Sequence, residues 1–280
     1  MSDNRKKIQI NFKDGTVSTI DERVYELIVE LQKEVKHQKY LPLFWNLSQS
    51  LNTYNEVLLQ FYSYLLVNRK ISRSQIFQDL FVLFNLEEKR NGSFLEFGAT
   101  DGVELSNSFL LESNFGWKGV LAEPNPRWHK NLKINRPNST IITECIYSET
   151  GKDLDFYVSD VGALSTIEQF RQSDISSMPG NANTRNSKGY NLNVPSISLN
   201  DVFIKYFNAA PIDYMSVDTE GSELLILENF DFPQFSPRIV TVEHNFTDTQ
   251  DKLDRLFEEN NYIRVFKEHA QFDAWYVLQN

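Results

Sequence analysis

A single cysteine, Cys145, occurs in 280 residues. This excludes an internal disulfide and any zinc site built on paired thiolates. Its setting, ITECIYS, reads as a buried strand end, with the thiol as a small core group rather than a reactive one. Long apolar runs are also missing: no stretch reaches the roughly 18 residues that a membrane span needs. The start, MSDNRKKIQINF, lacks the apolar stretch of a secretory signal, so the cytoplasm is the expected location. Positive charge is scarce as well, with 28 Lys and Arg against 38 Asp and Glu and a net charge of −10. Such a surface repels nucleic acid, which is therefore not an expected partner. Short basic clusters such as Arg5-Lys6-Lys7 read as solvated surface. No glycine-lysine phosphate loop of the Walker type and no internal repeat is found.

What remains is ample for a core: 41% of the residues are hydrophobic and 13% aromatic. Residues 1 to 20 predict a hairpin, because KIQINF and TVSTI flank an Asp14-Gly15 turn. Thr19 and Glu22 form a capping-box pattern, and Val24, Leu27, Ile28, Leu31 and Val35 follow at helical spacing. Leu51, Tyr54, Leu58, Phe61 and Leu65 mark another helix. This section, 1–71, is expected to be a hairpin and mainly helical extension that packs on the rest or pairs two subunits into a homo-oligomer.

From residue 72 to 280 strand-like and helix-like runs alternate. SFLEFG, GVLAEP, STIITECI, KDLDFYV, IDYMSVD and RIVTVEH read as strands; LSNSFLLESN, PRWHKNLKIN, SELLILENF and DKLDRLFEEN read as helices; YIRVFKE and AWYVLQ close the chain as adjacent strands. The alternation predicts an α/β domain with a mostly parallel sheet and an antiparallel edge. Residues 159–195, rich in Ser, Asn and Gly, show little periodicity and are expected to form a lid or substrate loop.

The stretch FLEFGATDG, residues 94–102, places a glycine turn between a strand and a helix, the context in which such a turn carries meaning. The dinucleotide fingerprint fails here, because its second and third glycines are replaced by Thr100 and Val103. Glu96, just before the turn, would repel a phosphate and suits a cationic amino group instead. Glu123 ends the next strand about 20 residues on, where an acid accepts hydrogen bonds from ribose hydroxyls. A nucleoside site without a phosphate site fits S-adenosylmethionine (SAM) and fits NAD or ATP poorly.

With these features the chain resembles the FkbM-type family of SAM-dependent methyltransferases over residues 72 to 279. The resemblance is carried by SQIFQD, FLEFGATDGVELSNS, GWKGVLAEPNP, LSTI, IDYMSVDTEGSELLILENFDF and VEH. It implies a class I, Rossmann-like methyltransferase fold with a seven-stranded sheet whose last strand is antiparallel. It also implies O-methylation of sugar hydroxyls in glycans, polysaccharides or glycosylated natural products. For the cofactor it implies Glu96, Gly98, Ala99, Asp101 and Gly102 at the turn and Glu123 at the ribose. Ser148 falls beside the adenine, Ser106 and Asn107 open the following helix near the methionine end, and Gln78 borders the pocket. Thr100-Asp101 stands where the family more often has Asn-Asp.

A sugar hydroxyl is a poor nucleophile and gains from a base or a metal. In open α/β sheets such groups lie at the C-terminal strand ends. Asp218 and Glu220 follow one strand, and Glu243 and His244 end the next, so these four are the expected catalytic residues. A base formed by His244 and a carboxylate, and a divalent cation held by the four, both fit the spacing. His129 and His269 read as surface residues, and Glu223 as a first-turn helix acid. The competing expectations are a catalytically inactive, methyltransferase-like binding or scaffold module and, more remotely, a nicotinamide-dependent oxidoreductase.

Overall fold

The computed structural model describes residues 7–11, 17–22, 25–26 and 56–279. The chain forms two compact units, Met1–Ile71 and Ser72–Asn280. In the first, β1 (Lys7–Asn11) and β2 (Val17–Asp21) pair antiparallel with Lys7 opposite Asp21, a hairpin whose turn lies outside the described residues. Helix α1 (Glu56–Asn68) buries Phe61, Tyr62, Leu65 and Leu66. Of the helix expected from Val24 to Val35 only Tyr25 and Glu26, both helical, are described; its other residues, and Leu51 and Tyr54, lie outside the described residues.

The second unit opens with α2 (Gln78–Asn85) and β3 (Ser93–Phe97), then α3 (Phe109–Phe115), β4 (Lys118–Ala122) and α4 (His129–Asn135). Strands β5 (Thr140–Ile142), β6 (Cys145–Tyr147), β7 (Asp153–Ser159) and β8 (Thr166–Ile167) lead to α5 (Pro179–Ser187), β9 (Gly189–Ser198) and α6 (Leu199–Phe207). The chain ends with β10 (Tyr214–Val217), α7 (Glu223–Glu228), α8 (Phe232–Phe235), β11 (Ile239–Glu243), α9 (Gln250–Glu259), β12 (Tyr262–Val265), α10 (Lys267–Ala270) and β13 (Asp273–Leu278).

Seven strands form one sheet in the order β12-β13-β11-β10-β3-β4-β5. The pairs β11–β10, β10–β3, β3–β4 and β4–β5 are parallel, whereas β13 runs antiparallel to both β11 and β12. The reversed strand thus sits between β11 and β12, one place in from the edge. This is the α/β architecture of class I methyltransferases, with the crossover at β3 and β10 placing their C-terminal ends side by side.

Side chains alternate along each strand, so the sheet has two distinct faces. Leu95, Phe97, Val120, Ala122, Met215, Val217, Val240 and Val242 enter one core cluster with Phe203, Leu227, Phe235, Leu253 and Phe257 from α6, α7, α8 and α9. The intervening Glu96, Ser216 and Thr241 are buried polar residues on the opposite face. There Trp275 stacks on Phe81 of α2 with ring centroids 4.5 Å apart.

Residues 159–195 are ordered rather than irregular. They supply β8, α5, most of β9 and two short 3-10 turns, Gly162–Leu164 and Glu168–Phe170. With β6 and β7 they make a second sheet in the order β6-β9-β7-β8. Its own small core is Cys145, Phe156, Val158, Ile167 and Val194. The predicted strand STIITECI accordingly splits: β5 joins the large sheet and β6 the small one. Among the described residues no helix is long and apolar enough to cross a membrane.

Candidate active site

A cleft of about 400 Å³ opens at the C-terminal ends of β3, β4, β10 and β11. Its floor is the glycine turn. Gly98 N–H and Ala99 N–H donate to the Ala122 carbonyl at 3.1 and 3.3 Å, and Thr100 N–H donates to Glu123 Oε2 at 2.8 Å. Gly98 adopts φ +79°, and a Cβ there would collide with the Asp218 carbonyl. Glycine is therefore required by the close approach of β10 rather than by a ligand alone. Gly102, at φ +78°, lets Leu132 of α4 and Arg136 just after it pack on the turn; a Cβ would sit 2.6 Å from each side chain. Asp101 Oδ1 accepts from Val103 N–H and Glu104 N–H, closing the turn while the residue stays on the cleft wall.

Glu96 borders the cleft, but its carboxylate is largely committed to the fold. It accepts from Asn107 N–H at 2.8 Å, Ser106 Oγ–H at 3.0 Å and Ser108 Oγ–H. Its alternation onto the polar face explains this: a buried acid must collect donors. Ser106 and Asn107 lie before the helix rather than in it, because α3 starts at Phe109. Asn107 Nδ2 donates to Ser216 Oγ at 2.9 Å, while its Oδ1 is buried with no partner. Glu123 accepts from Asn125 N–H on Oε1 and Thr100 N–H on Oε2, and burial pushes its pKa up to about 7. Gln78 lines the cleft and donates to Asp273 Oδ2 at 2.8 Å.

The acceptor end is built by three carboxylates. Asp218, Glu220 and Glu243 each bring an oxygen within 4.8 Å of the others. Burial, and then the neighbouring carboxylates, raise Asp218 and Glu243 well above the usual carboxylate range. Burial raises Glu220 to about 7 despite the opposing Arg185. Glu223 does open α7, and its carboxylate turns back to accept from Thr219 N–H at 2.8 Å and Gly221 N–H at 3.0 Å, fixing the loop that carries Glu220.

Two expected site residues lie outside the cleft lining. His244 does not line the cleft. Its Nε2 lies 3.0 Å from the Asp273 carbonyl, its Nδ1 accepts from Phe246 N–H, and burial beside Arg264 lowers its pKa to about 4. The chain turns at Asn245 and Phe246, both at positive φ, and the ring is used to hold that turn. Ser148 also lies outside the cleft, because β6 leaves with the small sheet; Cys145 and Ile146 form the wall instead. Nor is His269 a surface residue: it is buried, with Nε2 3.0 Å from the Ile76 carbonyl. His129 is half-buried, with Nε2 2.8 Å from the Glu123 carbonyl.

Several site residues escape sequence reasoning. Arg185, fully buried on α5, bonds Glu220 Oε2 at 2.5 Å and Asp174 at 2.7 Å. Thr166 Oγ1 donates to the Glu220 carbonyl at 3.0 Å. Asp273, raised to about 6 by burial, reaches the cleft from the last strand. Thr166 falls in the LSTI motif, but no local signal gives its partner or marks Arg185 and Asp273, since the contacts with Glu220 and the cleft cross long sequence separations. Among the described lining residues every charged side chain is acidic: Glu96, Asp101, Glu104, Glu123, Asp218, Glu220, Glu243 and Asp273.

A parallel sheet with one inserted antiparallel strand, a glycine turn and a strand-end acid define a class I SAM-dependent methyltransferase. The chain belongs to the FkbM-domain methyltransferases: the family model for the methyltransferase FkbM domain matches residues 96–273. Its cofactor is S-adenosylmethionine. No curated protein matches the sequence. Among solved structures, the chain is similar to a precorrin-6y C5,15-methyltransferase from Geobacter metallireducens, at 12% identity, TM-score 0.36 and coverage of 66% of this chain and 70% of that one. A TehB-like SAM-dependent methyltransferase from Corynebacterium glutamicum matches at 9% identity and TM-score 0.37, over 73% and 89% of the two chains. Aeropyrum pernix fibrillarin with natively bound S-adenosylmethionine matches at 10% identity and TM-score 0.35, over 96% and 91%.

Proposed function

We propose that the protein is an O-methyltransferase acting on a hydroxyl of a sugar, glycan or glycosylated metabolite, in cytoplasmic polysaccharide or natural-product tailoring. The observation that carries this reading is the carboxylate group Asp218, Glu220 and Glu243 in the same cleft as the glycine turn and Glu123. The donor supplies an electrophilic methyl group on a sulfonium; the acceptor oxygen takes the methyl, the carbon–sulfur bond breaks, and a neutral thioether leaves.

The residues present suit that donor. Both Glu123 oxygens already accept one backbone N–H and retain lone pairs for two ribose hydroxyls. The unpartnered Asn107 Oδ1 is an acceptor for the methionine ammonium. An all-acid lining favours a cationic donor and disfavours phosphate near the reacting centre, which argues against a nucleic-acid acceptor. At the acceptor end, Asp218 or Glu243 takes the hydroxyl proton as the methyl arrives. Their raised basicity brings proton affinity closer to what a weakly acidic hydroxyl requires. Residues Val161–Ser165 of the insertion wall the cleft and restrict water there.

Calorimetric titration with S-adenosylmethionine and mass spectrometry of a panel of neutral saccharides incubated with it test the reading. Methylated saccharide is expected. Binding of the donor with methylation of amines or carboxylates alone would replace the acceptor assignment, and no donor binding at millimolar concentration would end it.

A further inference from the structure

We propose that Asp218, Glu220 and Glu243 hold a hard divalent cation of the magnesium, calcium or manganese class, which takes the acceptor hydroxyl as a further ligand. This inference rests on reading the cleft as the methyl-transfer site and adds a metal to it. Three observations carry it.

The first is geometric. The three carboxylates converge from the end of β10, the loop after it and the end of β11, to within 4.8 Å. β10 and β11 are hydrogen-bonded neighbours with Val217 opposite Val242, so the two strand-end acids leave the sheet side by side. Glu220 is held from behind: Arg185 grips Oε2, Thr166 bonds its carbonyl, and Glu223 caps the amides around it. A Cβ on Gly221 would collide with Ser173 Oγ, so the insertion presses directly on this loop.

The second is an orphaned atom. Glu243 Oε2 is shielded from solvent and has no hydrogen-bond partner. A carboxylate oxygen in that state is costly unless a proton or a cation meets it.

The third is charge balance. The one cationic side chain bonded to the cluster among the described residues is Arg185, and it serves Glu220 and Asp174. Asp218 and Glu243 face each other with Asp273 nearby and no basic lining residue. Such a group either shares protons or binds a cation. The donor set is oxygen only, since the converging side chains are all carboxylates and His244 is turned to the Asp273 carbonyl. Oxygen donors select hard ions, which retain water or hydroxyl ligands in an open cleft. A hydroxyl on such an ion loses its proton more easily, so with Asp218 and Glu243 engaged as ligands the proton passes to water in the open cleft rather than to either carboxylate, and a second hydroxyl on the next sugar carbon can chelate the same ion.

Manganese titration of the unaltered protein, followed by electron paramagnetic resonance, tests this without any substitution. One bound manganese per chain, displaced by magnesium or calcium, is expected. Glu243→Gln and Asp218→Asn should each weaken it at least about tenfold, the lower bound even for an outer partner of a metal site. Donor affinity, measured separately by calorimetry, separates this proposal from the reading it rests on. Stoichiometric manganese with no donor binding leaves the cation site standing and ends the methyl-transfer reading. Donor binding with no stoichiometric manganese at millimolar concentration, or with manganese affinity unchanged in both variants, overturns the cation site and leaves the three acids as proton-sharing carboxyls.

Discussion

Gly98 shows how a single residue ties the cofactor end to the acceptor end. Its missing Cβ is the space taken by the Asp218 carbonyl, so the turn and the carboxylate strand cannot separate without both changing. Gly98→Ala is expected to cost about 2–5 kcal/mol, from the left-handed backbone and the collision together. Gly151→Ala is the control: φ is +85° but no atom lies within 4 Å, so about 1 kcal/mol is expected. Chemical denaturation of the two variants measures both. His244 makes the opposite point. Its ring holds a turn, so His244→Gln should lower thermal stability while leaving the turnover rate within about threefold; Asp218→Asn should reduce the rate about 100-fold or more, the range assigned to an acid–base group. Equal losses in the two variants would return His244 to the reacting centre.

Among the elements, the insertion between β7 and β9 has the most bearing on function. Its α5 delivers Arg185 to Glu220, its β8 delivers Thr166 to the same loop, and Gly162 packs on Trp128 with space for no larger residue. The insertion is thus a fixed wall that orients one site carboxylate. Removing the guanidinium leaves Asp174 and Glu220 as unpaired buried acids. Arg185→Met is therefore expected to cost about 3–5 kcal/mol, the usual penalty for breaking a buried pair. Donor binding should survive in whatever fraction remains folded, because Glu123 and the glycine turn do not touch Arg185.

At the scale of the whole molecule, buried ionisable groups set the pH response. Glu123 and Glu220 are raised from 4.5 to about 7, so their stabilising contribution is complete below 4.5 and is lost as pH rises through 7. His244 and His269 are lowered from 6.5 to about 4, so theirs is complete above 6.5 and is lost as pH falls through 4. Asp218, Glu223, Glu243 and Asp273 are raised as well, so the buried acids outnumber the two imidazoles, and stability is expected to be highest near about pH 4–5 and to decline as pH rises through 7. Thermal melts across that range check the shape; a steady rise through pH 7 would contradict the buried acids. Every cleft-lining residue lies between Gln75 and Asp273. The unit 72–280 is accordingly proposed as the methyltransferase domain, and deletion of 1–71 is expected to leave donor affinity within about threefold by calorimetry.

The sequence by itself determined the strand–helix alternation, the glycine turn, Glu123 and the strand-end acids, because period, turn chemistry and local spacing all act within a few residues. Glu96 was legible as a strand-tip acid, yet its engagement with Ser106, Asn107 and Ser108 was not, since that depends on which face of the sheet it occupies. Tertiary structure alone decided that His244 turns away, that Ser148 leaves with the small sheet, and that Arg185 reaches Glu220. The same holds for the ordering of 159–195, a polar stretch whose strands exist by pairing with β7 and β6. Pairings across tens of residues depend on how the layers stack, and no local pattern in a chain encodes which distant group will fill a buried donor or acceptor.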